Sequence, residues 1–158
     1  MTDTIVHEHP VWRERANFII AARMVDTRPE PRWYWEQLWA RQTAANRFEI
    51  CCIPFFVYDL ALGDEVETED TVTKKYVLSK VVAPSGRYPF RAWFSAPAAR
   101  EKTIEEIRGV GGLIEERWPG SKLVAIDAAN HEEAQAVADL LHEKQQLGLL
   151  TYETGRTK

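Results

Sequence analysis

The chain has 158 residues, 45% of them hydrophobic and 28% charged, and a net charge of −4. This is the composition of a globular protein of one large domain or two small ones, and the negative balance argues against non-specific binding to nucleic acid or an anionic membrane. No apolar run reaches the roughly 18 residues of a membrane span, and the opening MTDTIVHEHP has neither the basic nor the apolar region of a secretory signal.

Residues 1–16 are expected to form a polar, flexible arm. Asn17–Val25 predicts the first strand, and Thr27–Pro31, with two prolines, a loop. Trp33–Arg41 (WYWEQLWAR) fits a strand in which Trp33, Trp35 and Trp39 share one parity and Tyr34, Glu36, Leu38 and Ala40 the other. The three tryptophans are expected in the core, and Gln42–Asn46 in a turn. Phe48–Asp70 is the most apolar run of the chain and breaks into an acidic stretch. Within it, Arg47–Ile53 suits a buried strand, and Pro54 ends ladder pairing because it has no N–H to donate. Phe55, Phe56, Val57, Tyr58 and Leu60 are expected to plug one end of the fold. Leu62-Gly63-Asp64 is a turn signal, and Glu65–Glu69 alternates as a half-buried strand with an acidic outer face. Lys74–Ala83 is a further strand. Short strands with turns at regular spacing over residues 17–84 predict a small β-barrel of the SH3-like kind.

After Pro84-Ser85-Gly86 the pattern changes. Tyr88–Ser95 reads as a strand, and Pro97–Val110 as a helix with Ile104 and Ile107 inward and Thr103-x-x-Glu106 as a capping box. Gly109, Gly111 and Gly112 stop the helix. Leu113–Trp118 and Lys122–Asp127 read as strands joined at Pro119-Gly120. Asn130, with Glu133 behind it, caps a second helix running to about Leu147, and Leu149–Glu153 is a last strand. The order βαββαβ predicts a ferredoxin-like half over residues 85–158. The expected fold class is therefore α+β, a barrel packed on a ferredoxin-like half.

No catalytic or metal signature stands out, and the sequence implies no cofactor and no metal site. Whether the chain is an enzyme is left open. Cys51 and Cys52, the only cysteines, sit in the most apolar strand and read as core packing; a reduced, cytoplasmic protein follows. His7-Glu8-His9 reads as part of a solvated tail, and His131 and His142 as surface residues. Phe90 and Phe94 share a parity that suits base stacking, but read as buried under the helices. Gly109-Val-Gly-Gly follows a helix instead of leading into one, the wrong geometry for cradling phosphate. Two surfaces are candidates for binding. Glu65, Glu67, Glu69 and Asp70 form an acidic face, with Trp39 as an aromatic interface anchor. Arg87, Tyr88 and Arg91 lie at the junction of the halves, where two guanidiniums at even spacing could clamp a carboxylate or phosphate.

Leu38-Trp39-Ala40, Ile53-Pro54-Phe55-Phe56, Leu62-Gly63-Asp64-x-Val66, Ser85-Gly86 with Arg91, Leu123-Val124-Ala125-Ile126-Asp127 and Tyr152-Glu153 resemble a small bacterial family, domain of unknown function 4265. The resemblance spans about residues 35–155 and is most specific in the Pro-Phe-Phe and Gly-Asp-x-Val blocks. It implies a compact, stand-alone bacterial cytosolic protein and confers no activity.

The function expected from these residues is a non-catalytic protein-binding module, in concrete form an immunity or antitoxin-type protein that masks a basic partner with its acidic strand. The alternative is a small-molecule binder or enzyme working in a cleft between the halves, with Arg87, Tyr88 and Arg91 as contacts. A protein partner is expected, a small molecule is the second choice, and nucleic acid and membrane are not expected.

Overall fold

The structure, a computed structural model, describes residues 3–25 and 33–157; the expected loop at Thr27–Pro31 and the side chain of Trp33 lie outside the described residues. It is a mixed α+β molecule with two sheets and two helices. The first sheet contains β1 (Asp3–Ile5), β2 (Phe18–Val25), β3 (Trp33–Ala44), β4 (Arg47–Ile50), β5 (Glu65–Glu69) and β6 (Val77–Ala83). β3 is its hub, antiparallel to β2 and β4 and parallel to β1. β4, β5 and β6 continue antiparallel, and β6 returns to β2 through the bridge of Ala21 with Val77, so the pairings trace a closed circuit.

Alternation explains the interior of this sheet. Ile20 and Ala22 on β2, Leu38 and Ala40 on β3, and Phe48 and Ile50 on β4 point inward with Val66. Burying each of the large ones contributes about 2 kcal/mol against solvent exposure. The opposite parity of β3 buries Trp35 in a small cluster with Ala21 and Val77, while Trp39 is half-buried and packs against the edge of the first-sheet interior. The turn expected at Gln42–Asn46 is shorter, because β3 runs on to Ala44 with a bulge between Gln42 and Ala44.

The second sheet contains β7 (Tyr88–Phe94), β8 (Leu113–Glu116), β9 (Leu123–Ala128) and β10 (Leu150–Thr154), in the order β10-β7-β9-β8 with every neighbour antiparallel. α1 (Pro97–Gly109) links β7 to β8 and α2 (His131–Gln146) links β9 to β10, the connectivity of a split βαβ unit. Phe90, Phe94, Val124 and Ile126 pack under Ile104, Ile107, Val137 and Leu141 of the helices. The expected box at Thr103 is not a cap. Thr103 is buried inside α1, which starts instead at Pro97, where a missing N–H costs nothing. The cap of α2 is as expected: Asn130 accepts the Glu133 N–H at 2.9 Å, and Glu133 accepts the Ala129 N–H at 3.1 Å. Among the described residues no helix is long and apolar enough to cross a membrane.

The other face of the second sheet meets the first sheet, and the Phe-rich run lies between them. Residues 51–64 contain no strand. Ile53, Phe55 and Phe56 pack with Ile5, Leu123 and Ala125 in the seam between the sheets, while Cys52, Val57 and Leu60 pack on the interior of the first sheet, so the run divides between the two. The arm expected to fray is built into the same seam. β1 pairs in register with Tyr34–Glu36, and His7 is only 3% exposed.

Candidate functional site

The seam is organised around His7. Its Nε2 lies 2.7 Å from Glu36 Oε2 and its Nδ1 2.7 Å from Glu115 Oε1, with all three side chains at or below 1% exposure. Two carboxylate partners require both ring nitrogens to donate, so the ring is an imidazolium. Burial pushes its pKa down, but the hydrogen bonds and charges of Glu115 and Glu36 outweigh burial and raise it to about 9. The ring stacks on Phe55 with centroids 4.1 Å apart. Burial pushes the Glu36 carboxyl up, but the His7 contact and the Phe55 and Phe56 amides win and hold it below the ordinary carboxylate range. Glu36 accepts the N–H groups of Phe55, Phe56 and Val57 at 2.7, 3.0 and 3.1 Å, and Glu115 accepts those of Ile53 and Val11. The buried charges therefore hold the backbone that Pro54 keeps out of a sheet ladder. This arrangement is closed to solvent and has the character of a structural clasp. It corrects the reading of His7 as a solvated tail residue. In the structure Glu36 shares the inward parity of Leu38 and Ala40, the opposite of the tryptophan face that reads as core, and nothing local marks His7 or Glu115.

The junction residues expected to contact a ligand are committed within the chain. Arg91 is 1% exposed and donates to the carbonyls of Phe56 and Val57, with Glu153 at 3.7 Å and the Tyr58 ring 4.5 Å from its guanidinium carbon. Arg87 donates through Nε and Nη2 to Asp127 Oδ2 at 2.8 and 2.6 Å. Asp127 is buried; burial raises its pKa, and Arg87 opposes the rise without cancelling it. The even spacing of Arg87 and Arg91 would share a side only in a strand that begins before Tyr88; β7 begins at Tyr88, and each arginine has its own partner. Tyr88 is exposed and meets His131 edge-on at 6.3 Å. Beside this pair, Asp64 accepts the Ala61 and Ser85 N–H groups at 2.9 and 2.8 Å. Gly63, at φ +83°, lets the Trp12 ring and Ser85 close over it, where an added Cβ would stand 3.3 and 3.1 Å away.

The acidic strand is present but partly neutralised. Glu65 lies 3.7 Å from Arg47, and Glu67 stands directly opposite both Arg47 and Lys80 in the register. Glu69 and Asp70 are exposed, and Asp70 accepts the Tyr76 N–H at 3.1 Å. Cys51 and Cys52 are free and buried. Burial, then the charge of Glu49, pushes the Cys51 thiol up to about 11, and burial raises Cys52 well above the ordinary range.

Trp39 does reach a surface. Its Nε1 donates to the His7 carbonyl at 2.9 Å, and Arg13 lies over its ring at 4.2 Å. With Phe18, Ile19 and Tyr76 it lines a shallow, mostly apolar groove of about 590 Å³ on the first sheet. Ile19, directly opposite Trp39 in the register, is 43% exposed. Ile19 and Arg13 were not singled out by the sequence, though Ile19 has the outward parity of its strand.

The fold recurs in a crystal structure titled as that of a hypothetical protein from Neisseria gonorrhoeae. The two share 18% identity with a TM-score of 0.70, over 87% of this chain and 94% of that one. No curated protein matches the chain. The model of the family described as domain of unknown function DUF4265 matches residues 36–152, well over half of the chain, and the chain belongs to that family.

Proposed function

We propose that the chain is a non-catalytic protein-binding module whose contact surface is the groove on the first sheet around Trp39, where outward Ile19 and Trp39 meet Phe18 and Tyr76 at the edge of the interior. The observation that carries this reading is the open groove of Phe18, Ile19, Trp39 and Tyr76, a half-buried aromatic beside an exposed aliphatic. Tryptophan, tyrosine and arginine are the residues most enriched at the energetic centres of protein interfaces, and the groove holds Trp39, Tyr76 and Arg13. The closed circuit of pairings supports reading the first sheet as a small SH3-like barrel. The free, buried thiols suit a bacterial cytoplasm.

The immunity-type version, in which the acidic strand masks a basic partner, loses weight because Arg47 and Lys80 already stand against Glu65 and Glu67. A small-molecule cleft at Arg87 and Arg91 loses weight because both guanidiniums are spent on Asp127 and on loop carbonyls. A photo-crosslinking residue placed in turn at Ile19, Glu67 and Tyr88, in cells, tests all three. The proposal expects a protein adduct from Ile19 and none from Tyr88. An adduct from Glu67 alone would return the acidic strand to first place, and no protein adduct from any position would sink the module reading.

A further inference from the structure

The outer face of β2 and β3 pairs its aromatic rings with cations. Arg13 lies over Trp39 at 4.2 Å, and Lys74 and Arg23 lie over Trp35 at 5.0 and 5.2 Å. Trp35 and Trp39 share one face of β3, opposite Arg23 and Ile19 of β2; Arg13 lines the apolar groove itself, and Lys74 lies farther along the same face, over Trp35. Arg13 is exposed, and no carboxylate lies within ion-pair distance of it among the described residues. A guanidinium over a ring still has N–H donors free for a carboxylate.

We infer that this face docks an acidic polypeptide segment, with one apolar side chain seated between Ile19 and Trp39 and flanking carboxylates on Arg13 and Lys74. The inference rests on the protein-binding reading of the same groove and names the partner's chemistry. Charge complementarity selects the class: a basic segment laid along this face meets Arg13 at the groove and Lys74 beyond it, whereas an acidic one gains charge-assisted hydrogen bonds from both. The observations favour polypeptide over single-stranded nucleic acid. Stacking of successive bases needs open ring faces along a continuous basic track. Here the rings of Trp35 and Trp39 carry Lys74 and Arg13 over them, which takes up the faces that bases would stack on.

Fluorescence anisotropy on the full chain tests this with three labelled probes: a short glutamate peptide around a central leucine, its lysine counterpart, and an oligo(U) of similar charge. The variants are Arg13→Glu, Ile19→Asp and Glu67→Lys, all at solvent-accessible positions. The expected result is that the glutamate peptide binds tightest and weakens with added salt. It loses at least about tenfold in affinity in both Arg13→Glu and Ile19→Asp, and is not weakened in Glu67→Lys. Tightest binding of the lysine peptide, lost in Glu67→Lys, overturns the acidic class while leaving the protein-binding reading standing. Tightest binding of oligo(U) overturns both. Binding of none of the probes overturns the acidic class, and the adduct at Ile19 then decides the protein-binding reading separately.

Discussion

His7 is the residue on which most depends. Removing its ring as His7→Ala leaves two carboxylates buried and unpaired, a loss of about 3–5 kcal/mol. For a chain of this size that is a fall of about 10 °C in Tm, measurable by calorimetry. The pH dependence has a definite sign. The folded pKa is raised from 6.5 to about 9, so the stabilisation is fully present below about 6.5 and is lost as pH rises through 9. Urea unfolding between pH 6 and 10 should show wild-type stability falling across that window, and the fall should be absent in His7→Ala. A second expectation concerns the thiols. Burial of Cys51 and Cys52 raises both pKa values, so alkylation of the native protein at pH 8 should be at least about a hundredfold slower than after unfolding. Rapid labelling of either thiol in the folded state would contradict the buried, inert reading.

At the scale of elements, local chemistry decided most of what could be anticipated. β5, α2 and β10 follow from alternation, a capping residue and a stop signal, all short-range properties of the chain. Residues 51–64 were harder. An apolar run with one proline reads as core, but whether it fills a barrel end or a seam depends on the second sheet, which no local pattern announces. The same holds for the site. The shared parity of Trp35 and Trp39 is visible but reads as core, whereas Trp39 is half-buried, and the cation over its ring comes from Arg13, on a segment that reads locally as a loose arm. The link from α1 to β8 offers an element-level test. A Cβ on Gly112 would stand 2.5 Å from Ile107 Cγ2, and Ile107 is fully buried. Gly112→Ala should therefore cost about 1–3 kcal/mol by overpacking, read from chemical denaturation. Asn130→Ala should cost about 1 kcal/mol through the lost cap of α2.

At the scale of the molecule the two sheets share one centre. Glu36 comes from the first sheet and Glu115 from the second, and Arg91 of the second sheet holds the carbonyls of Phe56 and Val57. Intrinsic tryptophan fluorescence, with three of the six tryptophans on β3 and Trp93 on β7, and far-UV dichroism, which includes both helices, should thus report one coincident unfolding transition. Arg91→Met, which leaves those carbonyls unpaired, should lower that transition by about 2–4 kcal/mol without splitting it. Two separate transitions in the wild type would show that the clasp does not couple the sheets. The clasp also has a consequence for synthesis. His7 and Glu115 are 108 residues apart, so at ribosomal speed roughly 5 to 20 seconds separate the emergence of the ring from that of its second carboxylate. Through that interval the strands of the first sheet can pair, yet Ile53 and Phe55 have no second sheet to cover them. The nascent chain therefore offers a sticky, half-charged centre to chaperones until the last third is made, and chains truncated before residue 115 should be prime substrates for proteolysis.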